Sequence, residues 1–399
     1  MNSIPEHEDR VLEEIASDGT SAGLEAEVTD TGWEIKAPFN PAQIDVITQV
    51  RTVDLLLTRL REGEMDLSPE FQRRANLWTD KTKSGLIESL LLRIPIPSLY
   101  VSEDAEGNYS VVDGLQRMCA IAHFVDVEAL NEEVGTDLAA LKLSGLQSLP
   151  ADEYNGKTFL TLPRSLQRRI KETELTLHVI RASTPQDVKF NIFSRINRGG
   201  LPLTAQEIRN AIYPGQWRSV VRHLVSSASF LKATEGKIRG ERMEDFELVL
   251  RFLAHFDLGD EERASDENLD PFLNNFVKRS QAFALDAWDA YKTAFEKSMY
   301  YAPKVFGRYA FRKYYAEGEN RRPINRGLFE SQAVSLAWLS EQELDRLALN
   351  SPLVLRKLGN LFLLDSDFPA SLLYATGRGG SSNIRLRKLT KLYREVLDD

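Results

Sequence analysis

The pattern of apolar residues changes near residue 215, and that change limits what this chain can fold into. Before it, short runs rich in branched and aromatic residues, such as YSVVD (109–113) and TELTLHVIRA (173–182), alternate with stretches whose apolar residues recur every three or four positions. After it almost every apolar run has the helical period, as in FELVLRFLAHF (246–256), FLNNFVKRSQAFALDAWDAYKTAF (272–295) and NIRLRKLTKLYREVL (383–397). The expected fold class is therefore α+β, with an α+β domain over 31–215 followed by an all-helical domain over 216–399. A chain of 399 residues suits two domains, and no repeat of fixed period is visible.

Charge sets the first 30 residues apart. Residues 1–36 carry ten acids and two bases, a net of −8 against −9 for the whole chain. Residues 1–30 read as an acidic, disordered tail, either a solubiliser or a competitor with nucleic acid for a basic surface. The opening MNSIPEHEDR has no apolar core, so no signal or transit peptide is expected there. No apolar run approaches the roughly 20 residues of a membrane span. Cys119 is the only cysteine, which excludes an internal disulfide and suits a reducing cytoplasm.

Within the first domain the elements can be placed. Residues 53–61 and 79–93 read as helices, the second with Thr79 as N-cap. IPIPSLYVSE (94–103) becomes a strand in its second half, DAEGNY (104–109) a hairpin turn, YSVVD the return strand and LQRMCAIAHFV (115–125) a helix with His123 in the core. LPRSLQRRIKE (162–172) is a short basic helix. TPQDVKFNIFSRINRGG (184–200) opens on a Thr-Pro start and stops at a double glycine, and Thr204 to Glu207 forms a capping box.

Three stretches carry chemistry. In SVVDGLQRMCAIAHF (110–124) a strand runs through Asp113-Gly114 into a helix. Such a turn aims free backbone N–H groups and the positive end of the helix dipole at whatever lies above it. Gly114 permits close approach, Arg117 offers a planar fork suited to phosphate oxygens, and Asp113 can hold Mg²⁺ or orient a water. The same residues also fit a plain turn, with Asp113 as helix cap and Arg117 as its ion-pair partner. SPEFQRRANLW (68–78) sets Arg73 and Arg74 between Phe71 and Trp78, and FNIFSRINRGGLPLTAQEIRNA (190–211) places Arg195, Asn197 and Arg198 at a glycine junction. Alone, the second is also a pinned loop and the third a helix–loop–helix junction.

Together, PEFQRRANLW, LIESLLLRIPIPSLYV, VVDGLQR, GKTFLTLPRSLQRRI and FSRINRGGLPLTAQEIRNA resemble, in order and spacing, the N-terminal domain of GmrSD-type restriction endonucleases. The resemblance runs from about residue 50 to 215, and RPINRGLFE (322–330) with the helical remainder resembles the end of stand-alone members. It implies a ParB/sulfiredoxin-like core that binds a nucleoside triphosphate (NTP) with Mg²⁺ or another divalent cation, can hydrolyse it, and serves defence against phage DNA. By position, Asp113 would act on the metal or the attacking water. Gly114 and Arg117 would hold phosphates with Gln116 nearby, Gln72 and Arg73 would face the pocket, and Arg195 and Asn197 would close it. The family usually has Gln where this chain has Leu115, which bears on base preference or hydrolysis. Many relatives also carry an HNH nuclease. The histidines here (His7, His123, His178, His223, His255) are isolated, so no HNH nuclease is expected in this chain and any such cutting would come from a partner.

Basic clusters offer DNA contacts: Arg164, Arg168, Arg169 and Lys171 on one helix, Arg385, Arg387, Lys388, Lys391 and Arg394 on the last, and Arg308, Arg312 and Lys313 among aromatics. Exposed faces of amphipathic helices look the same. TGRGGSSN (376–383) reads as a flexible loop. Three functions remain open: an NTP-hydrolysing regulator of a restriction-type defence system, a non-hydrolysing DNA or nucleotide sensor that recruits a separate nuclease or effector, and a metal-dependent DNA nickase. Homodimerisation through the helical domain is also open.

Overall fold

A computed structural model describes residues 13–15, 20–27, 43–67, 78–196, 204–213, 215–240, 242–259, 261–318, 320–373 and 376–399. The chain forms two compact units, one of residues 35–213 and one that joins residues 1–34 to 214–399. The N-terminal hairpin of β1 (Glu13–Ile15) and β2 (Ser21–Glu25) belongs to the second unit.

The first unit runs β3 (Val46–Thr52), α1 (Val53–Arg61), β4 (Met65–Asp66), α2 (Asp80–Leu91), β5 (Leu99–Glu103), β6 (Tyr109–Asp113), α3 (Leu115–Val125), α4 (Val127–Val134), α5 (Ala151–Tyr154), α6 (Arg164–Lys171), β7 (Glu174–Ile180), α7 (Gln186–Ile196) and α8 (Ala205–Ile212). Its local signals are those expected. Thr79 accepts from the Thr82 amide at the start of α2, Asp104 ties the β5–β6 turn through the Glu106 and Asn108 amides, and the Thr204–Glu207 capping box is formed. The five strands lie in the order β3-β7-β5-β6-β4, with β5–β7 and β4–β6 parallel and the other two pairs antiparallel.

Alternation along the strands makes two different faces. Leu175, Leu177 and Val179 of β7, Leu99 and Val101 of β5 and Val111 of β6 enter one hydrophobic core with Leu56, Leu57 and Leu60 of α1 and Met118, Ile121 and Ala122 of α3. Each of the larger side chains among them stabilises the fold by about 1.5–3 kcal/mol. His123 is buried as expected, between Lys83 Nζ (3.1 Å) and the Ala139 carbonyl (2.9 Å). The other face is more polar. The buried Lys189 of α7 donates to Ser102 Oγ (3.0 Å) and the Glu103 carbonyl (2.9 Å) of β5 there.

The second unit holds α9 (Trp217–Val225), α10 (Ala228–Thr234), α11 (Glu244–Leu258), α12 (Leu269–Ser280), α13 (Ala287–Phe306), α14 (Arg326–Ala337), α15 (Glu341–Leu349), α16 (Ser351–Leu364), α17 (Asp367–Leu373) and α18 (Gly379–Asp398). Every residue of α14 is buried, with α11, α13 and α18 packed around it. No helix among the described residues is long and apolar enough to cross a membrane.

Three expectations are corrected here. The acidic N-terminus is not wholly a solvated tail: β2 seats Leu24 beside Ile324, and Glu25 accepts from Lys313 Nζ (2.6 Å) and Asn325 Nδ2 (3.1 Å). Glu27 takes both arms of the Arg251 guanidinium at 3.0 and 2.7 Å, so these acids are buried partners of bases distant in sequence. Residues 272–295 are two helices, because Phe283 turns back onto Trp288 and Tyr291 and breaks the run. In 376–383, Gly379 and Gly380 begin α18, and only residues 376–378 form the turn before it. A Cβ on Gly379 would lie 2.1 Å from the Ala264 carbonyl oxygen, so glycine here serves close packing.

Candidate functional site

Asp113 ends β6, Gly114 is the N-cap of α3, and Arg117 lies in the first turn of that helix. The turn requires glycine: φ is +93°, and a Cβ would lie 2.1 Å from Leu99 Cδ2. Helix α3 has no side-chain cap, since its N-cap is a glycine, and the Asp113 carboxylate before it is engaged by Arg117. Asp113 Oδ2 accepts from Arg117 Nη2 at 3.0 Å, with 38% of the Asp113 side chain exposed and 12% of Arg117. Arg117 Nη1 also donates to the carbonyls of Pro97 and Ser98, the latter at 3.0 Å. The fork that the sequence offers to phosphate is thus taken up by the turn. Arg117 ties the segment leading into β5 to the start of α3 and holds Asp113 in place.

A bulge in β6 decides what Asp113 faces. Val101 pairs with Val111, but Tyr100 pairs with Asp113, so Val112 is skipped. Bulges of this kind re-aim the residue that follows. Tyr100 in turn pairs with His178 of β7, and His178 with Thr48 of β3. Cross-strand partners share a face. Asp113, Tyr100, His178 and Thr48 therefore form one polar row across four strands. The Tyr100 and His178 rings lie 4.7 Å apart and 32° from parallel, and His178 Nδ1 is 3.0 Å from Thr48 Oγ1. Sequence reasoning missed Tyr100, His178 and Thr48; the alternation of β7 marks His178 as facing away from Leu177, but nothing local aligns it with Asp113.

The other candidate residues are placed as follows. Leu115 is 7% exposed and belongs to the hydrophobic core, so its side chain packs under the turn. Gln116 is half-buried beside it. Arg195 is in the last turn of α7, with its side chain outside the described residues. Gln72, Arg73 and Asn197 lie outside the described residues. No group of three or more His, Cys, Asp or Glu with metal-site geometry occurs among the described residues, so Asp113 brings a single carboxylate. That fits Mg²⁺ arriving with phosphate oxygens, which commonly uses one or two protein carboxylates, and does not fit an all-protein cage.

The basic residues separate. Arg168 lines a cleft of about 440 Å³ with Arg164, Lys171, Asp54 and Glu172, where Lys171 Nζ is 3.1 Å from Asp54. Arg169 points away from it and donates to the Leu91 carbonyl at 2.9 Å. Arg385 is corrected as a DNA contact: it is fully buried and bound to Glu330, Ser371 and Thr376. Lys388 is ion-paired with Asp365, and the exposed Arg387 lies 3.4 Å from Glu262.

Residues 54–214 match the model of one protein family, described as the GmrSD restriction endonuclease, N-terminal domain. Among curated proteins and among solved structures, nothing matches the chain.

Proposed function

We propose, from the membership of residues 54–214 in the GmrSD restriction endonuclease N-terminal domain family, that this chain is a nucleotide-binding regulatory component of a restriction-type DNA defence system. The observation that carries the reading is the β6–α3 turn. Its N-cap is Gly114 and its carboxylate is engaged by Arg117, so the first amides of α3 have no side-chain cap. Those amides suit nucleotide phosphates, and Asp113 stands beside them, half exposed. Mg²⁺ would be held by Asp113 together with phosphate oxygens, and when bound it would offset phosphate charge and polarise the phosphoryl group. Asp113 then orients the ion or an attacking water, while Arg117 positions Asp113. A ParB-like core and coupling to a separate nuclease belong to the same reading.

DNA, in this reading, meets the unit at the α6 cleft through Arg164 and Arg168, and not through Arg169 or Arg385. Binding without turnover is the second reading. It is favoured by Leu115, which puts an apolar, core-facing side chain where the family usually has an amide. Phosphate release from each of the four NTPs with Mg²⁺, with and without DNA, separates the two. Turnover in wild type that is lost in Asp113→Asn supports the hydrolase; saturable NTP binding with no phosphate release supports the sensor.

A further inference from the structure

The polar row that ends at Asp113 gives the candidate site a direction. Adjacent strands lie about 4.8 Å apart, so Tyr100 stands one spacing from Asp113 and His178 two, roughly 10 Å away along the sheet. That span matches the separation between the outer phosphates of a nucleoside triphosphate and its base. Along that span lie two aromatic rings 4.7 Å apart and tilted by 32°, Tyr100 next to Asp113 and His178 beyond it. The Thr48 hydroxyl fixes the His178 ring from the edge strand, so the pair is pre-oriented. Both rings are partly open, and the row lies on the sheet face opposite the hydrophobic core. On that face Ile180 is fully buried, while the Tyr100–His178 pair stays partly open, which suits a planar heteroaromatic group that extends the pair.

We propose that Tyr100 and His178 form the base-recognition shelf of this site. A nucleoside triphosphate would lie along the row, with its phosphates at the Asp113–Gly114 turn and its base against the Tyr100–His178 pair. The inference rests on the nucleotide reading above and adds where the base goes and which side chains select it. It also accounts for the bulge at Val112: without the extra residue, Val112 and not Asp113 would stand opposite Tyr100, and the row would lose its acidic end.

The test compares full-length wild type with Tyr100→Leu, His178→Leu and Tyr100→Phe. Titration calorimetry measures each of the four NTPs with Mg²⁺, and competition against the tightest of them measures inorganic tripolyphosphate, which has no base. The shelf predicts that each leucine variant binds the preferred NTP roughly tenfold or more weakly, that tripolyphosphate affinity stays within about twofold of wild type, and that Tyr100→Phe recovers NTP affinity. Unchanged NTP affinity in the leucine variants, or an equal fall for NTP and tripolyphosphate, overturns the shelf and leaves the nucleotide reading standing. No NTP binding by wild type overturns both.

Discussion

At the scale of single residues, Gly114 is the most constrained position in the site. Alanine there meets both an unfavourable φ of +93° and the Leu99 side chain, so Gly114→Ala should destabilise the first unit by about 2–4 kcal/mol. Urea denaturation should show a lower midpoint with an unchanged slope. Cys119, four residues further into α3 than Leu115, is buried, and burial pushes its thiol up to about 12. A disulfide reagent should therefore label native protein only as fast as the unit opens, far more slowly than in denaturant. How far these residues could be read beforehand depends on locality. The Asp113–Arg117 pair and the glycine turn are visible because a strand pattern gives way to a helix pattern within five residues. Tyr100 and His178 were not visible, because a parallel pairing and a bulge bring them into line with Asp113. Arg385 and Arg387 look alike in sequence, yet one is fully buried and the other exposed, because only Arg385 faces Glu330.

At the scale of elements, the N-terminal hairpin and the central helix α14 share a buried charge network. Burial alone would raise the Glu27 and Glu330 carboxyls. Arg251 holds Glu27, and Arg385 holds Glu330, down at about 2 against an ordinary 4.5. Burial lowers His255 from 6.5 to about 4. Each of these groups binds a proton more readily when unfolded, so each stabilises the fold at neutral pH. The His255 contribution is lost as pH falls from 6.5 towards 4, and the carboxylate contributions as it falls from 4.5 towards 2. Calorimetry across pH 7 to 3 should show the melting temperature of the helical unit falling throughout, more steeply below 4.5. Glu330→Gln should flatten the lower part of that curve. At pH 7 it should cost about 3–5 kcal/mol, because Arg385 loses its buried partner. Helix starts were legible from Thr79 and Thr204, whose caps are local. The break between α12 and α13 was not, because Phe283 folding onto Trp288 and Tyr291 overrides helix propensity.

At the scale of the whole molecule, the family match over 54–214 lies, but for its last residue, inside residues 35–213, while residues 1–34 go with the helical unit. Composition concealed this: ten acids in the first 36 residues look solvated until Lys313, Asn325 and Arg251 are found around Glu25 and Glu27. Deleting residues 1–27 should lower the melting temperature of the helical unit and leave NTP affinity unchanged, as followed by calorimetry and by titration of the same protein. An unchanged melting temperature would mean that the hairpin contributes no net stability.

The central claim is that a nucleotide sits on the β6–α3 turn. Amide hydrogen exchange of the full chain, with and without the tightest-binding NTP and Mg²⁺, tests it most directly. The account predicts added protection in peptides covering residues 113–118 and 99–101, lost in Asp113→Asn. Protection confined to other segments, or persisting unchanged in Asp113→Asn, would contradict it.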